Sequence, residues 1–147
     1  MKSVNRALLW ATLGSYVISL FLPIAVGPTV RPEALPGGLV LILGSISFVG
    51  AARPSWCGFS WLANPLLVVC LLSSRRPTLQ KLSALLALLL ACLYLGVKEI
   101  TLNEAGSMAQ ASPGPAYWFW LQAMVGINLW SWLRPSSQEQ KDRPEGR

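Results

Sequence analysis

Long stretches without a charged residue dominate the chain, and each is long enough, or nearly so, to cross a hydrocarbon core of about 20 apolar residues. They cover residues 7–26, 34–74 apart from Arg53, 82–97 and 117–133. This pattern predicts an all-α fold, a polytopic membrane bundle formed by residues 1–133. The helices are expected at about 7–26, 38–51 (short), 59–74, 80–97 and 117–133.

The start of the chain also has features of a secretory signal peptide, since Lys2 and Arg6 precede an apolar run. That run is longer than the usual apolar segment of a signal peptide. Its only small-residue candidate for cleavage, Ala25-Val26-Gly27, is followed by Pro28. We therefore expect the first helix to be a membrane helix.

The region 34–74 can cross the membrane once or twice, and the positive-inside rule distinguishes the two arrangements. Two crossings give five spans. With a cytoplasmic N-terminus, five spans leave 4 of the 12 Lys and Arg residues inside; inverting the protein puts Lys2 and Arg6 on the wrong side. Four spans with both termini in the cytoplasm place 9 of the 12 inside. We favour four spans, with five spans and an outside N-terminus as the alternative.

Four spans require one half of this region to enter the membrane without crossing it. Residues 38–51 are the better candidate, because an apolar stretch of about 14 residues is typical of re-entrant or interfacial segments. The second span is then 59–74, kinked early by Pro65.

The last helix carries tryptophans at both ends, Trp118 and Trp120 at its start and Trp130 and Trp132 at its end. This spacing is typical of an aromatic belt at the two membrane interfaces. The remainder, 134–147, lacks apolar residues beyond its prolines and is expected to be a disordered cytoplasmic tail.

Two stripes of small residues suggest where helices pack, because close approach replaces the hydrophobic effect between membrane helices. The first stripe is Ala11, Ser15 and Ser19, and the second is Ser83, Ala87 and Ala91. We predict that the stripes contact each other. The alternative is that small residues are simply tolerated at these positions.

Amide side chains within apolar spans are expected to face another helix, because an unsatisfied amide in lipid is costly. They are Asn64, Gln122 and Asn128. Asn64 precedes Pro65, whose ring leaves the carbonyl of Trp61 without its helical partner. We predict that Asn64 satisfies this carbonyl; the alternative is a polar ligand site at mid-membrane.

Composition excludes several chemistries. Only 12% of residues are charged, against about 25% in soluble domains, and no charged residue falls within 7–26, 59–74, 82–97 or 117–133. With no histidine and no CxxC among Cys57, Cys70 and Cys92, we expect no metal, no cofactor, no catalytic residues and no enzymatic activity. Missing intramembrane charges also disfavour ion-coupled transport.

Polar segments outside the spans have simple explanations. Glu99 and Glu104 can bind a cation or partner, but a solvated interfacial loop explains them equally well, and 105–116 is expected to be a turn-rich loop. Arg75, Arg76 and Lys81 form a basic loop suited to anionic lipid headgroups. The patch is too narrow for a nucleic-acid site.

Three pieces of the sequence resemble a group of small bacterial multi-span inner-membrane proteins without assigned function. They are Ser19-Leu20-Phe21-Leu22-Pro23, Trp61-Leu62-Ala63-Asn64-Pro65-Leu66-Leu67 and Ala116-Tyr117-Trp118-Phe119-Trp120-Leu121. The last piece departs from the group at Ala116, Trp118 and Phe119. The resemblance implies a bacterial inner-membrane helical bundle and no particular activity.

The sequence therefore predicts a non-enzymatic, multi-pass inner-membrane protein that acts through contacts with other membrane components. The expected partners are the lipid bilayer and either a membrane protein or further copies of the chain. One alternative is an immunity or exclusion protein against a pore-forming toxin or a transfer apparatus. Another is a small oligomeric channel or transporter subunit.

Overall fold

The computed structural model describes residues 2–26, 36–50, 56–73, 75–96, 99–101, 108–110 and 112–134. Six α-helices account for most of these residues, so the predicted all-α class is confirmed. The helices are α1 (Lys2–Phe21), α2 (Gly37–Gly50), α3 (Trp56–Trp61), α4 (Ala63–Leu72), α5 (Pro77–Cys92) and α6 (Pro115–Leu133). A 3-10 turn, Leu93–Gly96, continues α5. Four short strands join them: β1 (Ala25–Val26), β2 (Glu99–Thr101), β3 (Met108–Gln110) and β4 (Ser112–Pro113).

Prolines mark several helix boundaries. Pro77 and Pro115 are the first residues of α5 and α6, where a missing N–H costs nothing because no helical partner is available. Pro65 lies in the first turn of α4, and the helix predicted over 59–74 is broken just before it, at Leu62. Pro65 has no N–H to donate to the carbonyl of Trp61, four residues earlier, which is consistent with a helix break between the two residues.

α1 and α6 form the largest helix–helix interface of the described fold, and they run antiparallel. At one end of this pair, the Asn5 side-chain amide donates to the Leu133 carbonyl over 3.3 Å. At the other end, the N–H of Ala116 donates to the carbonyl of Pro23 over 3.0 Å. β1 pairs antiparallel with β4 just beyond this point, and we call this end of the bundle the strand end.

α5 is antiparallel to α6 and to α4. Near the strand end, the Tyr117 hydroxyl donates to the Ala91 carbonyl over 3.3 Å, and its ring stacks on Tyr94 at 5.0 Å. At the opposite end, the Lys81 ammonium lies 4.7 Å from the centroid of the Trp132 ring. α6 therefore lies between α1 and α5, while α4 packs mainly on α5.

All basic residues within the described ranges lie at one end of the bundle, which we call the basic end. α1 and α5 begin there, and α4 and α6 end there. The residues are Lys2, Arg6, Arg75, Arg76, Lys81 and Arg134.

The interior of the bundle is built mainly from small and aromatic side chains, while large aliphatic side chains point outward. Six alanines of the described ranges are fully buried: Ala63, Ala84, Ala87, Ala91, Ala116 and Ala123. Phe21 and Leu72, in contrast, are 79% and 78% exposed. Such an interior allows the helices to approach closely, as small residues do between membrane helices.

α2 begins at the strand end of the bundle. The N–H of Gly37 donates to the Leu22 carbonyl over 2.9 Å, and α2 packs on α1 and α3 without an extended contact to α4, α5 or α6. Its 14 residues are about 21 Å long at 1.5 Å per residue.

Some details differ from the sequence predictions. α1 covers Lys2–Phe21 rather than 7–26, because helical conformation is disfavoured ahead of Pro23 and the following residues pair as a strand. The stretch from 98 to 116, predicted as loops, contains the β2–β3 hairpin and β4. Several predictions concern residues outside the described ranges. These residues are Arg53, Lys98, Glu104, the side chain of Cys57 and the tail after Arg134.

The prediction that the two small-residue stripes contact each other is wrong. Ser15 and Ser19 are buried on α1, and Ser83, Ala87 and Ala91 are buried on α5, but these helices share no extended interface. Each packs instead against α6, and α5 also packs against α4. Ala11 is exposed. Small residues indicate that another helix comes close without specifying which one.

Candidate functional site

A half-open cavity near the strand end is the candidate site. It lies among α1, α2, α3, α4, α6 and the 3-10 turn after α5. The centre of a water molecule can occupy a volume of about 60 Å³ within it. One water needs about 10–15 Å³ on this measure, so the cavity has room for roughly four to six water molecules. Its walls are largely apolar and aromatic, formed in part by Leu20, Ile24, Val40, Trp61 and Trp120.

Asn64, in the first turn of α4, is the central polar group of this cavity. Its side-chain oxygen accepts hydrogen bonds from the Tyr16 hydroxyl at 3.1 Å and from the Trp120 indole N–H at 2.9 Å. Its nitrogen donates to the Trp61 carbonyl at 3.0 Å. An indole nitrogen only donates and a carbonyl only accepts, so the partners fix which atom of the amide is oxygen.

The predicted role of Asn64 is therefore confirmed, since it satisfies the carbonyl that Pro65 leaves without a helical donor. The same side chain also joins α1, α4 and α6, which the sequence did not reveal. Tyr16 and Trp120 are 48 and 56 residues away along the chain, and no local pattern connects them to Asn64.

α1 supplies a second polar group. Ser19 is buried in the cavity wall, and its hydroxyl donates to the Tyr16 carbonyl over 2.6 Å. This bond uses the serine proton and leaves its oxygen able to accept. Ser15, one turn earlier, is buried on the same helix but does not line the cavity.

α2 closes one side of the cavity by close approach of its glycines. A side chain at Gly37 would collide with the Ser19 carbonyl oxygen, and one at Gly44 would collide with the indole of Trp61. Trp61 in turn donates from Nε1 to the Leu41 carbonyl over 2.7 Å. Two glycines and one indole N–H thus hold α2 against the rest of the bundle.

The other predicted site residues do not meet at this cavity. Ser83 and Ala87 are buried on α5, where the Ser83 hydroxyl donates to the Gln80 carbonyl over 3.0 Å. Pro65 is exposed. Gln122 is exposed as well, so the expectation that it faces another helix is wrong; nothing in the apolar pattern of the last helix distinguished its outer face from its inner face.

Two buried amide nitrogens have no hydrogen-bond partner within the described part of the chain. One belongs to Asn128, which is half-buried on α6 as predicted for an inward-facing amide. The other belongs to Gln80, which is only 2% exposed and which the sequence reasoning missed. The signal was present, because Gln80 lies at the start of the predicted 80–97 helix.

The cavity is suited to hydrogen bonding rather than to acid–base chemistry. The side chains that line it are uncharged, and Asn64 makes three hydrogen bonds of the four it can make. One amide N–H and the hydroxyl oxygens of Tyr16 and Ser19 are therefore available to water or a small neutral molecule. Among the described residues, no three His, Cys, Asp or Glu side chains are grouped so that they could hold a metal ion.

Comparison of the chain with protein-family models, with curated proteins and with solved structures finds no match.

Proposed function

We propose that this protein is an integral protein of a bacterial inner membrane, a non-enzymatic helical bundle that acts through contacts with other membrane components. The observation that carries the proposal is the distribution of side-chain size. Small residues fill the interior, whereas large apolar side chains on α1, α4, α5 and α6 face outward. In a water-soluble monomer, exposed large apolar side chains are scattered or confined to small patches, whereas here they recur on all four of these helices.

The proposed number of crossings is four, formed by α1, by α3 and α4 together, by α5 and by α6. Of the described helices, only α5 with its 3-10 turn, Pro77–Gly96, meets both a length and a hydropathy criterion for spanning a membrane. The other crossings are supported by their outward side chains, such as Trp10, Val68 and Leu129, which are all at least half exposed.

The proposed orientation places the basic end in the cytoplasm, in keeping with the positive-inside rule. Five crossings would require α1 to begin and α4 to end on opposite sides, whereas both lie at the basic end. The length of α2, about 21 Å, is shorter than a hydrocarbon core of about 30 Å. These features support a non-crossing α2 that enters from the periplasmic side.

Membrane integration and orientation are tested with reporter fusions and fractionation. Green fluorescent protein at the C-terminus is expected to fluoresce, and alkaline phosphatase fused after Gly106 is expected to be active. The chain is expected to resist extraction from membranes by carbonate. Release by carbonate, or an active phosphatase at the C-terminus, would contradict the proposal.

Action through contacts is tested by photo-crosslinking in cells. A photoreactive residue at the exposed Leu129 is expected to give discrete crosslinked products with a membrane protein or a second copy of the chain. The matched control is the fully buried Ala123 on the same helix, which is expected to give no intermolecular product. Absence of discrete products from Leu129, and from Val68 and Trp10 on other helices, would argue against this mode of action.

A second candidate function, binding of a small uncharged molecule, is favoured by the cavity around Asn64. Acetamide is a suitable probe, because it is neutral and carries both donors and an acceptor. Saturable shifts of the Trp61 and Trp120 indole resonances are expected, with Trp10, which is 70% exposed, as the control. A linear shift shared by all three indoles would contradict specific binding.

A further inference from the structure

A surface groove at the basic end has no role in the cavity described above. It lies on the outer face of α5 and reaches the end of α6, and it is lined by Pro77, Thr78, Lys81, Leu82, Leu85 and Trp132. The groove combines one ammonium group with apolar walls. Its position on the outside of the bundle leaves it open to whatever surrounds the protein.

The groove is polar at one end and apolar at the other. Lys81 lies near the start of α5, and its ammonium is held 4.7 Å from the centroid of the Trp132 ring. Leu85 is four residues further along α5, about 6 Å further from the basic end at 1.5 Å per residue. Leu82 and Leu85, which are 52% and 40% exposed, therefore continue the groove away from the charge.

Two further cations adjoin the charged end. Arg75 and Arg76 directly precede Pro77, and both are exposed. Lys81 in the groove and the two arginines that precede Pro77 in the sequence thus bring three positive charges to this end of a largely apolar groove. Within the described residues, no acidic side chain lies at this end to neutralise them.

We propose that this groove is a binding site for one anionic phospholipid of the cytoplasmic leaflet. The headgroup lies against Lys81, with Arg75 and Arg76 adding to the attraction, and one acyl chain follows Leu82 and Leu85 beside Trp132. The proposal rests on the membrane orientation given under the proposed function. An acidic protein segment would match the charges but would leave unoccupied the apolar part of the groove, which runs toward the membrane interior.

The full chain in dodecyl maltoside micelles, titrated with phosphatidylglycerol and followed by native mass spectrometry, provides the test. We expect one phosphatidylglycerol to be retained in preference to phosphatidylcholine. Lys81→Gln is expected to weaken binding about five-fold, the effect of one basic residue near an anionic surface. Lys81→Arg is expected to restore it, because the positive charge returns.

The matched control is Arg6→Gln, which removes one exposed positive charge at the same end outside the groove and is expected to leave binding unchanged. Glycerol 3-phosphate, which has the phosphate without acyl chains, is expected not to bind. Leu85→Gln is expected to weaken phosphatidylglycerol binding by polarising the floor.

Several results would overturn the lipid site. They are equal retention of phosphatidylcholine, equal losses in Lys81→Gln and Arg6→Gln, or binding of glycerol 3-phosphate as tight as that of the lipid. Binding of an acidic peptide in place of lipid would reassign the groove to a protein partner and would also overturn it. Failure of the membrane proposal itself is detected separately, because the chain would then be released by carbonate.

Discussion

Gly126, near the middle of α6, should be a position at which a single methyl group weakens the bundle. A Cβ atom at this position would lie 3.2 Å from Cβ and 3.3 Å from Cγ2 of Thr12 on α1, and it would collide with the Thr12 hydroxyl oxygen. That hydroxyl donates to the Leu8 carbonyl over 2.8 Å, and Thr12 is buried. Rotating it away would break this bond, and a β-branched side chain in a helix has few other rotamers.

Two opposing effects determine how much the Gly126→Ala substitution changes the free energy of unfolding. Replacing glycine by alanine within a helix stabilises by about 1 kcal/mol. Inserting a methyl group into a closely packed interface costs about 1–3 kcal/mol. The matched control is Gly14→Ala on α1, because no atom lies within 4 Å of a Cβ placed there. Both variants gain helix propensity, so the difference between them isolates the collision. We expect Gly126→Ala to be about 1–3 kcal/mol less stable than Gly14→Ala.

The assay is reversible unfolding of the purified chain in dodecyl maltoside by added sodium dodecyl sulfate, followed by far-ultraviolet circular dichroism. Thr12→Ala removes the colliding oxygen, so the double variant Thr12→Ala with Gly126→Ala should recover most of the loss. A coupling free energy of about 1–2 kcal/mol is expected from this double-mutant cycle. Equal stability of Gly126→Ala and Gly14→Ala, or no coupling with Thr12, would refute the close contact of α1 and α6 at this point.

Asn64→Leu, Ala87→Phe and Trp61→Phe test other contacts. The first two, each with a control at an exposed position, use the same unfolding assay, and the third uses hydrogen exchange. Asn64→Leu removes three hydrogen bonds, worth about 0.6 kcal/mol each between membrane helices, so a loss of about 2 kcal/mol is expected. Gln122→Leu, the control at an exposed position, should change stability by less than about 0.5 kcal/mol. Equal losses of stability in Asn64→Leu and Gln122→Leu would show that the hydrogen bonds of Asn64 do not stabilise the bundle. Ala87→Phe should lower stability because Ala87 is fully buried. The control Leu86→Phe, at a 41% exposed position, should not lower stability. If Ala87→Phe is as stable as the control, α5 is not tightly packed at this position. Trp61→Phe removes the hydrogen bond to α2 and should speed hydrogen exchange in Gly37–Gly50 alone, and unchanged exchange there would show that this bond does not hold α2.

The role of Asn64 illustrates what the sequence could predict. Its bond to the Trp61 carbonyl depends only on Pro65 and a residue three positions away, so the local sequence contains all the information. Its bonds to Tyr16 and Trp120 depend on how distant helices pack, and the sequence offered no periodic signal for them. The cavity exists because of these distant contacts, so its lining could not be predicted.

Helix packing was likewise predictable from the sequence only in part. Small residues at Ser15, Ser83 and Ala87 correctly indicated buried helix faces. They did not identify the partner, because small residues permit close approach to any helix. The contact that sets α1 against α6 involves Gly126, whose small neighbours on α6, Ala123 and Ser131, lie three residues before it and five after it. This spacing differs from the four-residue spacing that made the other stripes recognisable.

The β2–β3 hairpin was missed for a different reason. Its strands are three residues each, too short for an alternating pattern to be recognised. Ile100 and Thr101 are β-branched residues that favour strands, but polar neighbours made a loop the simpler interpretation.

The most direct test of the central claim, a membrane bundle with its basic end in the cytoplasm, is cysteine accessibility in intact cells. The native cysteines are first replaced by alanine, and Thr78→Cys and Ser112→Cys are introduced separately at exposed positions of the basic end and the strand end. We expect a membrane-impermeant maleimide added outside, with the outer membrane permeabilised, to label Ser112→Cys, and to label Thr78→Cys only after the inner membrane is disrupted. Labelling of both positions in intact cells, or of Thr78→Cys alone, would contradict the account.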